Sequence, residues 1–411
     1  MKPASKNSTT IFNVAVLVAS LGYFVDIYDL LLFTIVRVPS LKSLGISQDE
    51  IDKGIGVWLI NFQMIGLLLG GIIWGIIADK KGRLRVLFGS ILLYSVANIA
   101  NGFVQSTNAY VFWRFVAGLG LAGELGAGIT LVAEILPKEK RGYGTMIVAT
   151  VGVSGAVAAN LVAKLVPDWR YSYFIGGGLG LLLLLLRISV MESGMFHAAV
   201  AEVKVKRGNF FALFTDRKRF MRYLKCVMLG APTWFVVGIL VAFSNKFAIE
   251  MGIKEPVAPG DAIAFCYTGL VLGDFTTGWV SQLWKSRRKV MLLFLLLTGA
   301  MTAVYLNQHG GSRTFFYAVC FMLGFSVGFW AIFVTIAAES FGTNLRATVA
   351  ITVPNFARGM LVLITILFSW LQGYFSYLQS AGIVAVVTIG VGLIASYTAE
   401  ETFGKDLNYV E

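Results

Sequence analysis

At 411 residues, with 57% hydrophobic and 14% charged residues and a mean hydropathy of +0.76, the chain has more apolar surface than one soluble core buries, which excludes a soluble or disordered protein. The formal net charge of +12 does not point to nucleic acid, because the basic residues fall in short clusters between apolar segments and not along one amphipathic face. Cys226, Cys266 and Cys320, odd in number and scattered inside apolar runs, read as buried inert thiols, not as a disulfide framework or metal ligands.

The opening MKPASKNSTT and the apolar run after it look superficially like a signal peptide, but Asp26 and Asp29 interrupt the run and no small-residue cleavage site follows. The run is expected to stay as the first of twelve membrane spans. Apolar stretches of about 20 residues, enough to cross a bilayer core, lie at 11–36, 54–78, 86–105, 109–136, 143–165 and 169–191. Six more lie at 223–244, 262–284, 290–307, 314–341, 348–370 and 377–397. The expected fold is therefore an all-α polytopic membrane protein with an N-terminal bundle (1–191), a linker (192–222) and a C-terminal bundle (223–411). An even number of spans puts both termini on one side. That side holds 22 of the 34 Lys and Arg residues and the opposite loops hold 7, so both termini are expected in the cytoplasm, with the chain in the plasma (inner) membrane.

Span one contains Asp26 and Asp29 one helical turn apart, on a face shared with Gly22. Two carboxylates at that spacing in low dielectric resist simultaneous ionisation, a property suited to carrying a proton. The competing reading pairs each with a base such as Arg37. The loop after span two, GIIADKKGRLR at 75–85, collects Asp79, Lys80, Lys81, Arg83 and Arg85, all costly in hydrocarbon, and so belongs at a membrane surface. Span four places Arg114 and Glu124 among Gly118, Gly120, Gly123, Gly126 and Gly128, a groove that lets a neighbouring helix approach closely. Lys164 and Arg187, near opposite membrane surfaces, are expected to snorkel. The linker, with Phe210, Phe211 and Phe214 beside Arg217, Lys218 and Arg219, reads as an interfacial helix. Span eleven has Asn355 and Arg358 near its middle, where a guanidinium suits an anionic substrate or, alternatively, an internal partner such as Asp274. Tyr23, Asn61, Gln63, Asn160, Trp234, Tyr267 and Trp330 are candidates to line a cavity. His197 and His309 fall in loops, which argues against a histidine proton relay.

The two halves are related. Ala133-Glu134 with Arg141 recurs as Ala338-Glu339 with Arg346, and Trp74, Lys80 and Arg83 recur as Trp279, Lys285 and Arg288 at the same offset. Gly66-Leu67 and Gly70 recur as Gly269-Leu270 and Gly273. Trp284 stands where Asp79 would be repeated, so the second copy of the loop departs from the first.

The 75–85 loop resembles the signature between the second and third helices of the major facilitator superfamily. Arg114 with Gly118 and Gly120 resembles the span-four signature of its proton-linked members. Gly123-Glu124, Gly126, Gly128, Ala133-Glu134 and Arg141-Gly142 are similar to the metabolite:proton symporter branch. Asp26-Ile27-Tyr28-Asp29 resembles the Tyr-Asp pair of that branch and the Asp-Gly-x-Asp of aromatic-acid:proton symporters, with Ile27 in place of the Gly. The resemblance implies two six-helix bundles related by a pseudo-two-fold axis. It also implies a proton-transfer role for Arg114 and a latch of Asp79, Arg83, Glu134, Arg141, Glu339 and Arg346. From the charges inside the spans themselves, Asp29 and Glu124 are the expected proton-coupling carboxylates, tuned by Asp26 and Arg114, and Arg358 with Asn355 is the expected site for an anionic substrate.

The expected function is a monomeric secondary active transporter that moves a small anionic organic metabolite by proton symport, driven by the proton gradient without a cofactor. Three alternatives stay open: an exporter or antiporter, a metal-ion transporter using Asp26, Asp29 and Glu124 as oxygen ligands, and a receptor that kept the fold without transport. Span five has Gly152 and Gly155 but no Gly-Pro pair, which lowers the export reading. No nucleophile motif, His-rich metal site or phosphate-binding Gly-Lys loop suggests an enzyme.

Overall fold

In a computed structural model, residues 14–136, 138–192, 210–342 and 344–405 are described; the side chains of Asp79, Arg83, Glu134 and Arg141, together with His197 and Asn209, lie outside this description. The described residues form twelve helical spans in two bundles of six. Spans one to three are Val14–Ser43, Gly56–Lys81 and Arg83–Gly102. Span four is broken into Thr107–Leu121 and Glu124–Ile135, and span five into Lys138–Val153 and Gly155–Leu165. Span six is Trp169–Glu192. Span seven runs from Arg217–Phe235 through a π turn, Val236–Val241, to Ser244–Glu250. Spans eight and nine are Pro259–Leu283 and Arg287–Leu306, and span ten is broken into Arg313–Ser326 and Trp330–Glu339. Spans eleven and twelve are Arg346–Leu371 and Tyr377–Thr398. Nine helical stretches among the described residues meet a length and hydropathy standard for crossing a bilayer on their own.

The duplication is visible in packing. Cβ atoms on Gly66 and Gly70 of span two would strike the carbonyls of Phe115 and Leu119 on span four, and Cβ atoms on Gly269 and Gly273 of span eight would strike those of Phe321 and Phe325 on span ten. The missing side chains let the backbones touch, which is how helices associate where lipid supplies no hydrophobic drive. The breaks in spans four and ten repeat as well, at Ala122-Gly123 and at Val327 to Phe329. A break frees backbone groups that hydrocarbon cannot solvate, so they need protein partners. Asn355 Nδ2 donates to the Ala122 carbonyl at 2.7 Å, Thr277 Oγ1 donates to the Gly328 carbonyl at 2.8 Å, and Asp274 Oδ1 accepts from the Ala331 amide at 3.0 Å.

Gly82 ends span two with φ of 92°, a conformation that favours glycine, so one residue turns the chain into span three. The second copy turns differently: Lys285 takes φ of 49° and the Ser286 hydroxyl accepts from the Lys289 amide to cap span nine. Among the described residues of the linker, Phe210–Phe214 forms a short 3₁₀ turn and the Asp216 carboxylate caps span seven, so Arg217, Lys218 and Arg219 belong to the first turn of that span.

Candidate functional site

Arg358 of span eleven and Asp26 of span one meet at the boundary between the two bundles, Nη2 to Oδ2, at 3.5 Å. Arg358 is 1% exposed and Asp26 0%, so water screens neither charge. The guanidinium carbon lies 5.9 Å from the Trp234 ring centre and 5.8 Å from that of Trp330, and the two indoles sit edge to face 6.1 Å apart. Arg358 Nη1 donates to Asn355 Oδ1 at 3.3 Å. Arg358 Nε and Nη2, both Asp26 oxygens and the indole nitrogens of Trp234 and Trp330 have no hydrogen-bond partner among the described residues. A buried group of donors and acceptors in this state is chemically prepared to bind a polar ligand. Tyr23 and Tyr267 are buried beside it, within electrostatic reach of Arg358 and Asp26.

The partner of Arg358 is Asp26, not Asp274. Asp274 is occupied at the break in span ten, where it accepts the Ala331 amide. Arg37 does not pair with either carboxylate of span one: its Nη2 donates to the Ala242 carbonyl at 3.2 Å and its guanidinium lies 4.4 Å from the Phe243 ring centre.

Glu124 forms an ion pair with Arg187 of span six, which also donates to the carbonyls of Leu87 at 3.1 Å and Val18 at 3.4 Å. Arg187 is 4% exposed, so the expected snorkelling is overturned: a carboxylate inside the bundle and two carbonyls replace the headgroup region. Gly22 makes this possible, because a Cβ there would overlap Glu124 and Arg187. Asp29 faces another cation. Arg114 is its main positive neighbour, fully buried with its guanidinium 5.5 Å from the Phe33 ring centre and 5.8 Å from that of Tyr173. A Cβ on Gly176 would overlap Asp29. Among the described residues, the three buried carboxylates of the first half thus lie nearest three different bases.

The remaining cavity candidates separate. Gln63 donates to the Leu30 carbonyl at 3.4 Å within the first bundle. Asn61 accepts from Thr365 at 3.2 Å, and Asn160 donates to Asp261 at 3.2 Å, both across the two halves at the end away from the termini. Lys164 is 56% exposed at its side chain and pairs with the same Asp261. At the other end, Thr348 Oγ1 reaches the Gly75 carbonyl at 3.3 Å, while Asn355, a turn from Arg358, reaches Ala122 nearer the middle. Both ends of the interface are therefore bridged above and below the Asp26–Arg358 pair. Of the latch residues, Glu339 and Arg346 are described in full: Arg346 is buried at the start of span eleven, and Glu339 accepts from Arg287 at 3.3 Å and from Thr402 at 2.8 Å. Arg287 and Thr402 were not singled out from the sequence, although Arg287 occupies the position equivalent to Gly82 and signals the altered second loop.

Two related six-helix bundles that meet on a buried charged centre define a membrane transporter. The chain belongs to the Major Facilitator Superfamily, whose family model matches residues 14–353. The niacin transporter NiaP of Acinetobacter baylyi is 23% identical to it over 428 residues, covering 96% of this chain and 95% of that protein. The cis,cis-muconate transport protein of the same organism is 27% identical over 350 residues, covering 82% of each. The solved proton:xylose symporter XylE shares the fold, with a TM-score of 0.73 at 17% identity and 98% of each chain covered. Family and relatives are transporters, and the chain is a transporter rather than an enzyme.

Proposed function

We propose that the protein is a proton-coupled symporter importing a small, flat organic carboxylate, with both termini in the cytoplasm. The observation that carries the reading is the buried Asp26–Arg358 pair flanked by Trp234 and Trp330 at the boundary of the two bundles. One guanidinium has two claimants: Asp26 and the carboxylate of the substrate. A proton on Asp26 removes the first claimant and frees the planar fork of Arg358 for bidentate binding of the second. Release of substrate lets Asp26 lose its proton and take back the guanidinium, so that neither a bare cation nor a bare anion remains in the dry site. The indoles supply apolar faces for a planar, unsaturated skeleton. Niacin and cis,cis-muconate, named for the two relatives, both join a carboxylate to such a skeleton.

Asp29, on the same helix and with Arg114 as its main positive neighbour, is suited to passing a proton to Asp26. Glu124, held by Arg187, which is itself fixed on the Leu87 and Val18 carbonyls, serves as a fixed counter-ion. The test is uptake into proteoliposomes under an inward proton gradient. Niacin or muconate is expected to accumulate and xylose not to, with alkalinisation of the external medium. Uptake that ignores the gradient would sink proton symport, and selective uptake of xylose would sink the carboxylate assignment.

A further inference from the structure

Where the terminus-side ends of spans seven, ten and twelve meet, a cavity of 270 Å³ opens at the surface, separate from the Arg358 centre. Its mouth is lined by Lys218, Arg222, Lys225 and Glu400, and its floor is apolar, with Leu229 and Ile336. Three cations against one carboxylate make it a positive pocket. Two of the cations are positioned by backbone: Lys225 Nζ donates to the Thr398 carbonyl at 2.9 Å, and Arg222 Nη1 donates to the Ser340 carbonyl at 3.1 Å with its guanidinium 5.4 Å from the Phe341 ring centre. The carboxylate Glu400 faces Lys405 at 3.8 Å.

The surroundings indicate depth in a membrane. Beside the mouth, Met221 and Tyr397 are 43% and 70% exposed, and Ile394, one turn deeper on span twelve, is 67% exposed. An exposed tyrosine at the level of the charges, with aliphatic surface directly below, marks the boundary between headgroups and acyl chains. A cationic pocket at that level, open at the surface beside the exposed Met221 and apolar at its floor, matches a phospholipid with a charged phosphate and a hydrocarbon tail. A free inorganic anion would need the charges but not the apolar floor. We infer that this cavity binds the phosphate of an anionic phospholipid headgroup, with Lys218, Arg222 and Lys225 as its ligands.

The test uses the purified full chain in detergent, with phosphatidylglycerol or phosphatidylcholine added and retained lipid read by native mass spectrometry. Phosphatidylglycerol is expected to be retained preferentially, and K218Q/K225Q to weaken its retention about fivefold for each cation removed. K218R/K225R keeps the charge and should retain the lipid. Equal retention of the two lipids, or unaltered retention in K218Q/K225Q, would overturn the assignment. Displacement of the lipid by millimolar inorganic phosphate would overturn it in favour of a free-anion site. Should the double variant fail to give a monodisperse protein, K218Q alone, at an exposed position, carries the same fivefold expectation.

Discussion

Each of the three buried carboxylates at Asp26, Asp29 and Glu124 depends on its own base, and substitutions should separate their roles. Glu124→Gln leaves Arg187 charged and dry, which removal of one partner of a buried pair makes costly by about 3–5 kcal/mol. The double variant E124Q/R187M removes both charges and is expected to recover most of that loss. A thermal melt of the purified variants checks this; if E124Q alone melts like the parent, Glu124 is not a fixed counter-ion. At the central site, Asp26→Asn is expected to abolish gradient-driven accumulation while substrate exchange persists, because Arg358 then lacks its internal competitor. Arg358→Lys keeps the charge but loses the planar fork, and is expected to weaken substrate binding by at least about tenfold, as loss of a charge-assisted bond of 1.5–3 kcal/mol implies. Equilibrium binding by calorimetry decides it, and unchanged affinity in R358K would move the substrate carboxylate elsewhere.

Broken and closely packed helices position these side chains. Spans four and ten each stop and restart at the midpoint, and the polar groups that satisfy the breaks, Asn355, Thr277 and Asp274, come from the spans packed against them. The terminus-side end of the second bundle is organised by the segment after span twelve. Glu401 there accepts from the Ser286 hydroxyl and from the Arg287 amide at 2.9 Å and the Arg288 amide at 3.3 Å, capping span nine, while Thr402 bonds Glu339. Partial burial pushes the Glu401 carboxyl up, but the Ser286 hydroxyl and the amides of Arg287, Phe403 and Arg288 outweigh it and hold the carboxyl below the ordinary glutamate value. A depressed value in the folded state gives stability that is present at neutral pH and is lost as pH falls through the folded value. Glu401→Gln is therefore expected to lower the melting temperature at pH 7, by a difference that fades as pH falls below the ordinary glutamate value and through the lower folded one. A pH-independent difference between variant and parent would show that the cap acts through shape and not charge.

For the whole molecule, the interface between bundles is bridged at both ends. Away from the termini, Asp261 of span eight receives Lys164 and Asn160 of span five, and Arg37 donates to the Ala242 carbonyl. On the terminus side, span eleven lies against span two through Thr348 and, nearer the middle, against span four through Asn355. Alternating access requires one set to break while the other holds. Lys164 is half exposed, so its pair with Asp261 is worth at most about 1 kcal/mol. Asp261→Asn is accordingly expected to raise the fraction opened at that end by up to about fivefold. Spin labels placed on spans five and eight would read this as a longer-distance population. An unchanged distance distribution would show that Arg37 and Asn61 close that end without Asp261.

Much of this architecture was legible in the chain itself. Apolar run lengths placed the spans, and the recurrence of Ala133-Glu134 and Arg141 as Ala338-Glu339 and Arg346 revealed the duplication, because both depend on local composition and order. The cost of charge in hydrocarbon singled out Asp26, Asp29, Arg114, Glu124 and Arg358 without any knowledge of their neighbours. What the tertiary structure alone decided is which acid meets which base. Asp26 finds Arg358 in the other bundle, Glu124 finds Arg187 two spans on, and Arg37 finds the Ala242 carbonyl of span seven. Those pairings follow from helix rotation and approach, set by glycines such as Gly22 and Gly70 pressing on distant segments, and no periodicity along one chain encodes the distance between two helices.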